Sequence, residues 1–415
     1  MNYVSLVVVG AGLRGVGYAR RAAAAGRARV VAVAEPDDER SARFRTEFNL
    51  PAERVYRDWT ELAAAGRLAD AAIVATHDQL HTEPAVAMAG LGYHLMLEKP
   101  MATTESDAVR IVEAVEHNKV IFALCHVLRY TRYTALLKGV LDGGRIGKVV
   151  SVQHLEPVGW WHQAHSFVRG GWHDSRTSSP MLLAKACHDI DWLMYLVGQP
   201  VSRVSSFGRL SHFRPEARPP GAADRCLDCA IEPQCPYSAP RLYLSCLGDP
   251  DRQFWPLSAV TLDHTEAGVR EALRTGPYGR CVYASDNDVV DHQVVSLEFA
   301  DGATGSFTMT AFTPFEQRKT RLFGTHGYVD GDGVRLRVVD FRSGAEEVLQ
   351  TRTGNASLVA DHGDGDGALV ETFLAAVAAN DPSLLNSDAT TSLASHRVVW
   401  AAEEAHRDGT VVALR

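Results

Sequence analysis

VSLVVVGAGLRG, residues 4–15, runs an apolar β-strand straight into a glycine-rich turn. Gly10, Gly12 and Gly15 fall where each missing side chain has a use. The first permits the tight turn, the second lets backbone approach a phosphate, and the third lets the next helix pack against the strand. That helix is expected to begin near Leu13, so the first N–H groups, those of Leu13 and Arg14 among them, and the positive end of the dipole would face a pyrophosphate. An alanine-rich helix segment (Ala22–Ala25) and a second strand, Arg29–Ala34, follow. The strand ends at Glu35, about 20 residues past the last glycine, where a carboxylate can accept both ribose hydroxyls of an adenosine. A carboxylate there repels a ribose 2′-phosphate, and Asp37 and Asp38 add negative charge, so NAD is favoured over NADP. Arg40 and Arg43 lie close enough in sequence to act against that preference. The plain alternative is a structural turn in an α/β sheet.

At 415 residues the chain exceeds what one core usually supports, and two domains are expected. Charged residues make up 22% and hydrophobic ones 46%, the profile of an ordinary globular protein. A formal net charge of −8 argues against a nucleic-acid or anionic-membrane partner. No apolar run reaches about 18 residues, and the first ten residues read as a core strand without a basic leader, so neither a membrane span nor a signal peptide is expected. Cytoplasmic residence follows, and there the seven cysteines would be thiols or metal ligands.

Strand and helix signals alternate through residues 1–125. Strands are expected near 3–9, 28–34, 71–75, 93–97 and 120–124, with helical patterns such as 78–90 and 103–118 between them, the latter capped at Thr103 or Thr104. Short apolar strands separated by helices imply a doubly wound parallel sheet, whose ligands bind beyond the carboxyl ends of the strands. Those ends are the residues after Val9, Ala34, Ala75 and Leu97. Residues 126–415 change character. Helices near 133–142 and 180–197 and strands near 148–155, 201–210, 289–299, 303–311, 319–324 and 335–341 suggest an α+β domain with a large, mostly antiparallel open sheet. An irregular insertion covers about 212–285. DHGDGDG at 361–367 reads as a flexible turn without EF-hand spacing, and two helices, about 368–379 and 388–407, close the chain.

The chain resembles the Gfo/Idh/MocA family of NAD(P)-dependent oxidoreductases over nearly its whole length. The resemblance rests on GAGLRG at 10–15, ATHDQLH at 75–81, Glu98-Lys99-Pro100, and KACHDIDWLMYLVG at 185–198. It implies an amino-terminal Rossmann domain and a second domain whose sheet face often mediates oligomerisation, here a homodimer or homotetramer. It also implies hydride chemistry on a sugar, cyclitol or related polyol, with the site in the cleft between domains.

Lys99 sits at a strand end, where its amine can donate to the carbinol oxygen as hydride leaves; burial would let it relay a proton as well. The resemblance places Lys99 at the substrate oxygen and Glu98 beside the cofactor. His188 opens a second-domain helix, and an imidazole suits a hydroxyl proton near neutral pH. The family uses this position as base or substrate contact; Asp189 and Asp191 either orient the ring or cap the helix. Sugar and inositol dehydrogenases of the family commonly place Asp four residues before that histidine, where this chain has Ala184 and then Lys185. Lys185 and His188 share a helix face at i,i+3, so Lys185 is a third candidate catalytic group.

Thr76, His77 and His81 follow the fourth strand, where the family contacts the nicotinamide ribose and pyrophosphate; His81 reads equally as a helix-face residue. His126 and Arg129 fall at a substrate-lining position, though Arg129 suits a solvated or salt-bridged role as well. VGWWHQAHSFVRGGWHDSR at 158–176 offers Trp161, His165, Arg169 and Trp172 as a carbohydrate pocket wall, the alternative being structural packing under a loop. Cys226, Cys229, Cys235 and Cys246, spaced C-x2-C-x5-C-x10-C, either bind a structural zinc or remain unligated thiols.

The functional expectation is an NAD-dependent oxidoreductase taking hydride from a secondary hydroxyl of a sugar, glycoside or cyclitol. The runner-up is an NAD-dependent glycoside hydrolase working by transient ring oxidation, elimination, water addition and re-reduction. A nucleotide-binding regulatory protein is a third class, in which Glu98-Lys99-Pro100 and His188 have no use.

Overall fold

A computed structural model describes residues 3–351 and 364–414. In chain order, β1 (Val4–Val9) leads into helix α1 (Leu13–Ala24). Strands β2 (Ala28–Ala34), β3 (Val55–Tyr56), β4 (Ala71–Val74) and β5 (His94–Leu97) follow, then α2 (Glu105–Asn118) and β6 (Phe122–Leu124). Next come β7 (Val149–Pro157), α3 (Met181–Val197), β8 (Val201–Arg209), β9 (His292–Phe299), β10 (Thr304–Thr310) and β11 (Lys319–Gly324). Strands β12 (Gly327–Gly331), β13 (Arg335–Asp340) and β14 (Glu346–Gln350), helices α4 (Gly365–Ala379) and α5 (Ala389–Asp408), and β15 (Val412–Ala413) come last.

By contacts the chain divides into two units, Met1–Thr131 with His362–Arg397, and Arg132–Asp361 with Val398–Arg415. A segment that the linear division assigns to the second domain therefore packs within the first. Residue 365 onward is helical, so the flexible-turn reading fails there, and 361–363 lie outside the described residues.

In the first unit six strands pair in the order β3-β2-β1-β4-β5-β6, all parallel. The reversal of strand order between β1 and β4 is the switch point at which such sheets bind ligands. Val4, Leu6 and Val8 meet Tyr18, Ala19 and Ala22 of α1, and Leu369, Val370, Phe373 and Leu374 of α4 complete the same core. α2 is capped by Thr104, whose hydroxyl accepts the N–H of Asp107, one of the two caps expected from sequence.

The second unit is built on a nine-stranded sheet, β14-β13-β12-β11-β7-β10-β9-β8-β15. β7 and β10 are parallel; the other pairs are antiparallel. Alternation along β7 puts Val152, His154 and Glu156 on the covered face. α3 contacts β7 and β10, and its His188, Asp189 and Asp191 are buried.

Candidate active site

In the first unit the carboxyl ends of β2, β1, β4 and β5 lie side by side, and their continuations are stitched together by backbone. Gly10 N–H donates to Ala34, Ala75 N–H to Val9 and Glu98 N–H to Val74. The three glycines of the turn have different reasons. Gly10 has φ +92°, and a Cβ there would stand 2.6 Å from the Ala75 carbonyl oxygen. A Cβ on Gly15 would stand 2.0 Å from the Gly10 carbonyl oxygen, whereas one on Gly12 would meet nothing within 4 Å. Gly12 thus borders open space at the start of α1, which opens without a side-chain cap. This cradle fits a pyrophosphate. Gly15→Ala will therefore lose thermal stability as well as NAD binding. Gly12→Ala will keep the melting temperature and lose only the NAD-induced rise, a contrast that thermal melts with and without the dinucleotide will read.

Glu35 is buried, with Oε2 accepting the Ala11 N–H at 2.7 Å and Oε1 the Asp37 N–H at 3.0 Å. The carboxylate is thereby fixed against the glycine turn, with lone pairs left for ribose hydroxyls. The Arg14 side chain turns elsewhere: Nε donates to Glu98 Oε1 at 2.5 Å, and Nη1 and Nη2 to the two oxygens of Asp366 at 2.8 Å each. With its side chain so engaged, Arg14, like Leu13, has only its backbone left to offer at the start of the helix. Thr76 is half-buried, with its hydroxyl donating to the Leu80 carbonyl, and His77 is half-buried beside it. His81 is enclosed, with Nδ1 2.6 Å from the Pro100 carbonyl oxygen and Nε2 3.1 Å from that of Thr76. It braces the two loops rather than facing outward.

Glu98 is buried. Burial would raise its pKa, but Arg14 and then Lys99 outweigh that and hold the carboxyl below its ordinary value. Oε2 accepts the Lys99 N–H at 2.7 Å, while the Tyr18 hydroxyl donates to Oε1 at 2.8 Å. Lys99 is half-buried at the end of β5. His126 is enclosed, its ring 5.5 Å from that of His396, and Arg129 is buried with its guanidinium on the Asn386 carbonyl.

The second unit holds a buried ionic cluster on the face of β7 under α3. Lys185 Nζ lies 3.0 Å from Glu156 Oε1, and Arg318 Nη2 lies 2.9 Å from Glu156 Oε2. Arg318 also reaches across Asp189, with Nε on Oδ1 and Nη2 3.1 Å from Oδ2. The same Nη2 stands 2.8 Å from His188 Nε2. A guanidinium only donates, so that ring nitrogen carries the lone pair. His154 closes the cluster, Nε2 3.1 Å from Asp189 Oδ1 and Nδ1 2.8 Å from the Thr320 hydroxyl. Two cations balance two carboxylates. Burial lowers the Lys185 pKa below its ordinary value, against the pull of Glu156. Burial would raise that of Asp189, but Arg318 holds it well below. Lys185 and His188 do converge on one cluster, as their spacing suggests. Arg318, Glu156 and His154 were not singled out from sequence. The available signal was the alternation Val152, His154, Glu156, which points two polar side chains inward.

The aromatic segment packs inward. Trp161 is half-buried, with ring centroids 5.2 Å from Trp255 and 5.0 Å from Phe315. His165 is enclosed, Nδ1 2.9 Å from the Tyr243 hydroxyl, and burial followed by the charge of Arg169 pushes its pKa down to about 3. Arg169 is buried and donates to the carbonyls of Arg280 at 2.7 Å and Tyr237 at 2.8 Å, anchoring the insertion. Trp172 is half-buried, 6.4 Å from Phe167.

The zinc expectation is corrected. Among the described residues no group of three or more His, Cys, Asp or Glu is arranged to hold a metal ion. Cys226, Cys229 and Cys235 line one small cavity, but the fourth cysteine there is Cys281. Cys246 packs with Tyr243 and Leu257, and its thiol donates to the Leu242 carbonyl at 3.2 Å. Burial raises the thiols of Cys235, Cys246 and Cys281, favouring the protonated form.

The Gfo/Idh/MocA oxidoreductase family, with its NAD-binding Rossmann fold, matches residues 4–126, and the family's C-terminal α/β domain matches 138–414. This chain belongs to that family. Inositol 2-dehydrogenase 2 of Saccharopolyspora erythraea is 30% identical over 200 residues, 48% of this chain and 55% of the relative. A 2,7-anhydro-N-acetylneuraminate hydratase of Mediterraneibacter gnavus is 26% identical over 213 residues, 51% and 54% respectively. The matched stretch thus spans about half the length of these relatives. An oxidoreductase of Agrobacterium radiobacter, solved with NAD+, L-tartaric acid and magnesium, shares the fold at TM-score 0.73 and 16% identity, over 99% of this chain and 98% of that one. The six-stranded parallel sheet of this Gfo/Idh/MocA member falls within the match to the NAD-binding Rossmann fold, and its nine-stranded sheet within the match to the C-terminal α/β domain.

Proposed function

We propose that this Gfo/Idh/MocA member is an NAD-dependent oxidoreductase acting on a secondary hydroxyl of a sugar, glycoside or cyclitol. What carries the reading is Lys99, an amine at the end of β5 whose backbone is fixed by a buried carboxylate, beside the strand ends that bear the glycine turn and Glu35. The dinucleotide, when bound, supplies a nicotinamide that accepts or returns hydride. Gly10, Gly12, Leu13, Arg14 and Gly15 hold its pyrophosphate through backbone, and Glu35 takes the adenosine ribose. Lys99 donates to the reacting oxygen and stabilises its alkoxide character. His188 and Lys185 hold and relay the proton, Lys185 paired with Glu156 and His188 with Arg318. The half-buried Trp161 and Trp172 supply apolar surface for the C–H side of a ring.

The test is NADH formation across a panel of polyols, sugars and glycosides, and absence of turnover on all of them with NAD bound would favour the regulatory class. Glu35→Ser will narrow the preference for NAD over NADP by weakening NAD and relieving repulsion of the 2′-phosphate, read as the ratio of the two dissociation constants.

A redox-neutral reading is favoured by one observation. The Lys185–Glu156 pair sets a cation and a carboxylate side by side; elimination and water addition need both an acid and a base, whereas dehydrogenation needs only a base for the hydroxyl proton. Release of an aglycone, or hydration of an anhydro sugar, without net NADH would select it.

Among the described residues no helix is long and apolar enough to cross a membrane, and cytoplasmic residence is part of the proposal. So is a homodimer or homotetramer through the nine-stranded sheet, where Phe207 and Val294 stand exposed and paired on neighbouring strands. Light scattering of the purified chain checks it.

A further inference from the structure

We propose that Asp366 is a positioning residue for Lys99, acting through Arg14 and Glu98; the inference rests on the role given to Lys99 above. Asp366 is fully buried in the first turn of α4, some 350 residues along the chain from Arg14. It takes Arg14 in a bidentate pair, and Arg21 Nη2 lies 3.9 Å away. Arg14 carries the link to Glu98 Oε1, and Glu98 passes it through its other oxygen to the Lys99 N–H. Tyr18 joins from α1, its hydroxyl near Arg14 Nη2 and donating to Glu98.

The geometry is over-determined for a mere core contact. Burying two carboxylates around a guanidinium is costly in desolvation, and apolar side chains of similar volume would pack at least as well. The approach of α4 is also fixed at close range: a Cβ on Gly365 would stand 2.4 Å from the Val127 carbonyl oxygen. Planar, two-sided donation by Arg14 transmits position as well as charge. The turn that holds the pyrophosphate and the turn that carries the amine are thus clamped by one side chain, and Asp366 sets its orientation.

The test uses the full chain with lysines reductively 13C-methylated, the Lys99 signal being assigned with Lys99→Arg. In Asp366→Asn the Lys99 methyl resonance will move while that of Lys185 stays in place. The turnover number will fall by about tenfold, as expected of a displaced catalytic group, with little change in KM. Tyr18→Phe, which deletes one donor and keeps the packing, gives a smaller displacement of the same signal. An unmoved Lys99 resonance in both variants would overturn the proposal, whatever the loss of stability. Because the resonance is read without substrate, absence of turnover in the parent protein would sink the enzymatic reading and leave this test standing.

Discussion

Lys99→Met will lower turnover by about 10²–10⁴-fold, the usual worth of a positioned proton donor, while leaving NAD affinity nearly unchanged. Methionine keeps the length and apolar body of the side chain and removes only the ammonium. The backbone N–H that Glu98 holds is retained, so the turn should keep its place. Steady-state kinetics on a confirmed substrate, with NAD binding followed by fluorescence, separates the two quantities. Full turnover in the variant would remove the assignment of Lys99 to the reacting oxygen. A loss confined to KM would make it a substrate contact outside the chemical step.

Arg318→Met will destabilise the second unit by about 3–5 kcal/mol, because it strips Asp189 of its guanidinium and leaves Glu156 with Lys185 alone. Asp189 and Glu156 are both buried, so neither carboxylate can recover its hydration in place. A second substitution, Asp189→Asn, should return part of the loss by removing the stranded charge. The sign with pH follows from Asp189. Its pKa is held well below the ordinary value in the folded chain, so the stabilisation is complete above the unfolded carboxylate range and is lost as pH falls from there through the lower folded-state value. The gap between parent and Arg318→Met will therefore be full near neutrality and shrink in acid. Urea unfolding by tryptophan fluorescence suits the measurement, since six of the seven tryptophans lie in that unit. An unchanged midpoint would show that the cluster contributes nothing net.

The glycine turn, Glu35 and Lys99 were legible because their signals are local: a strand, a spacing and a strand end. β3, β12 and β14 escaped, being short or polar and without clear alternation. Asp366 escaped because DHGDGDG has the composition of a turn, and its partner lies across a sequence distance that no periodicity spans. The cysteine spacing identified three residues of the cavity and missed Cys281, since proximity in sequence does not decide which thiols converge. Lys185 was read as sharing a helix face with His188, but its charge partner comes from a strand about thirty residues earlier, where alternation turns Glu156 inward without saying which cation it meets.

The first unit cannot be finished when its six strands have been made. Leu369, Val370, Phe373 and Leu374 fill its core, and they leave the ribosome only after eight of the nine strands of the second sheet have been translated. Until then the nascent parallel sheet exposes an apolar face. The protein accordingly closes as a whole, the amino-terminal half waiting on the carboxy-terminal helix, and a chain interrupted before residue 365 would be a substrate for chaperones and proteases rather than a smaller dinucleotide-binding protein.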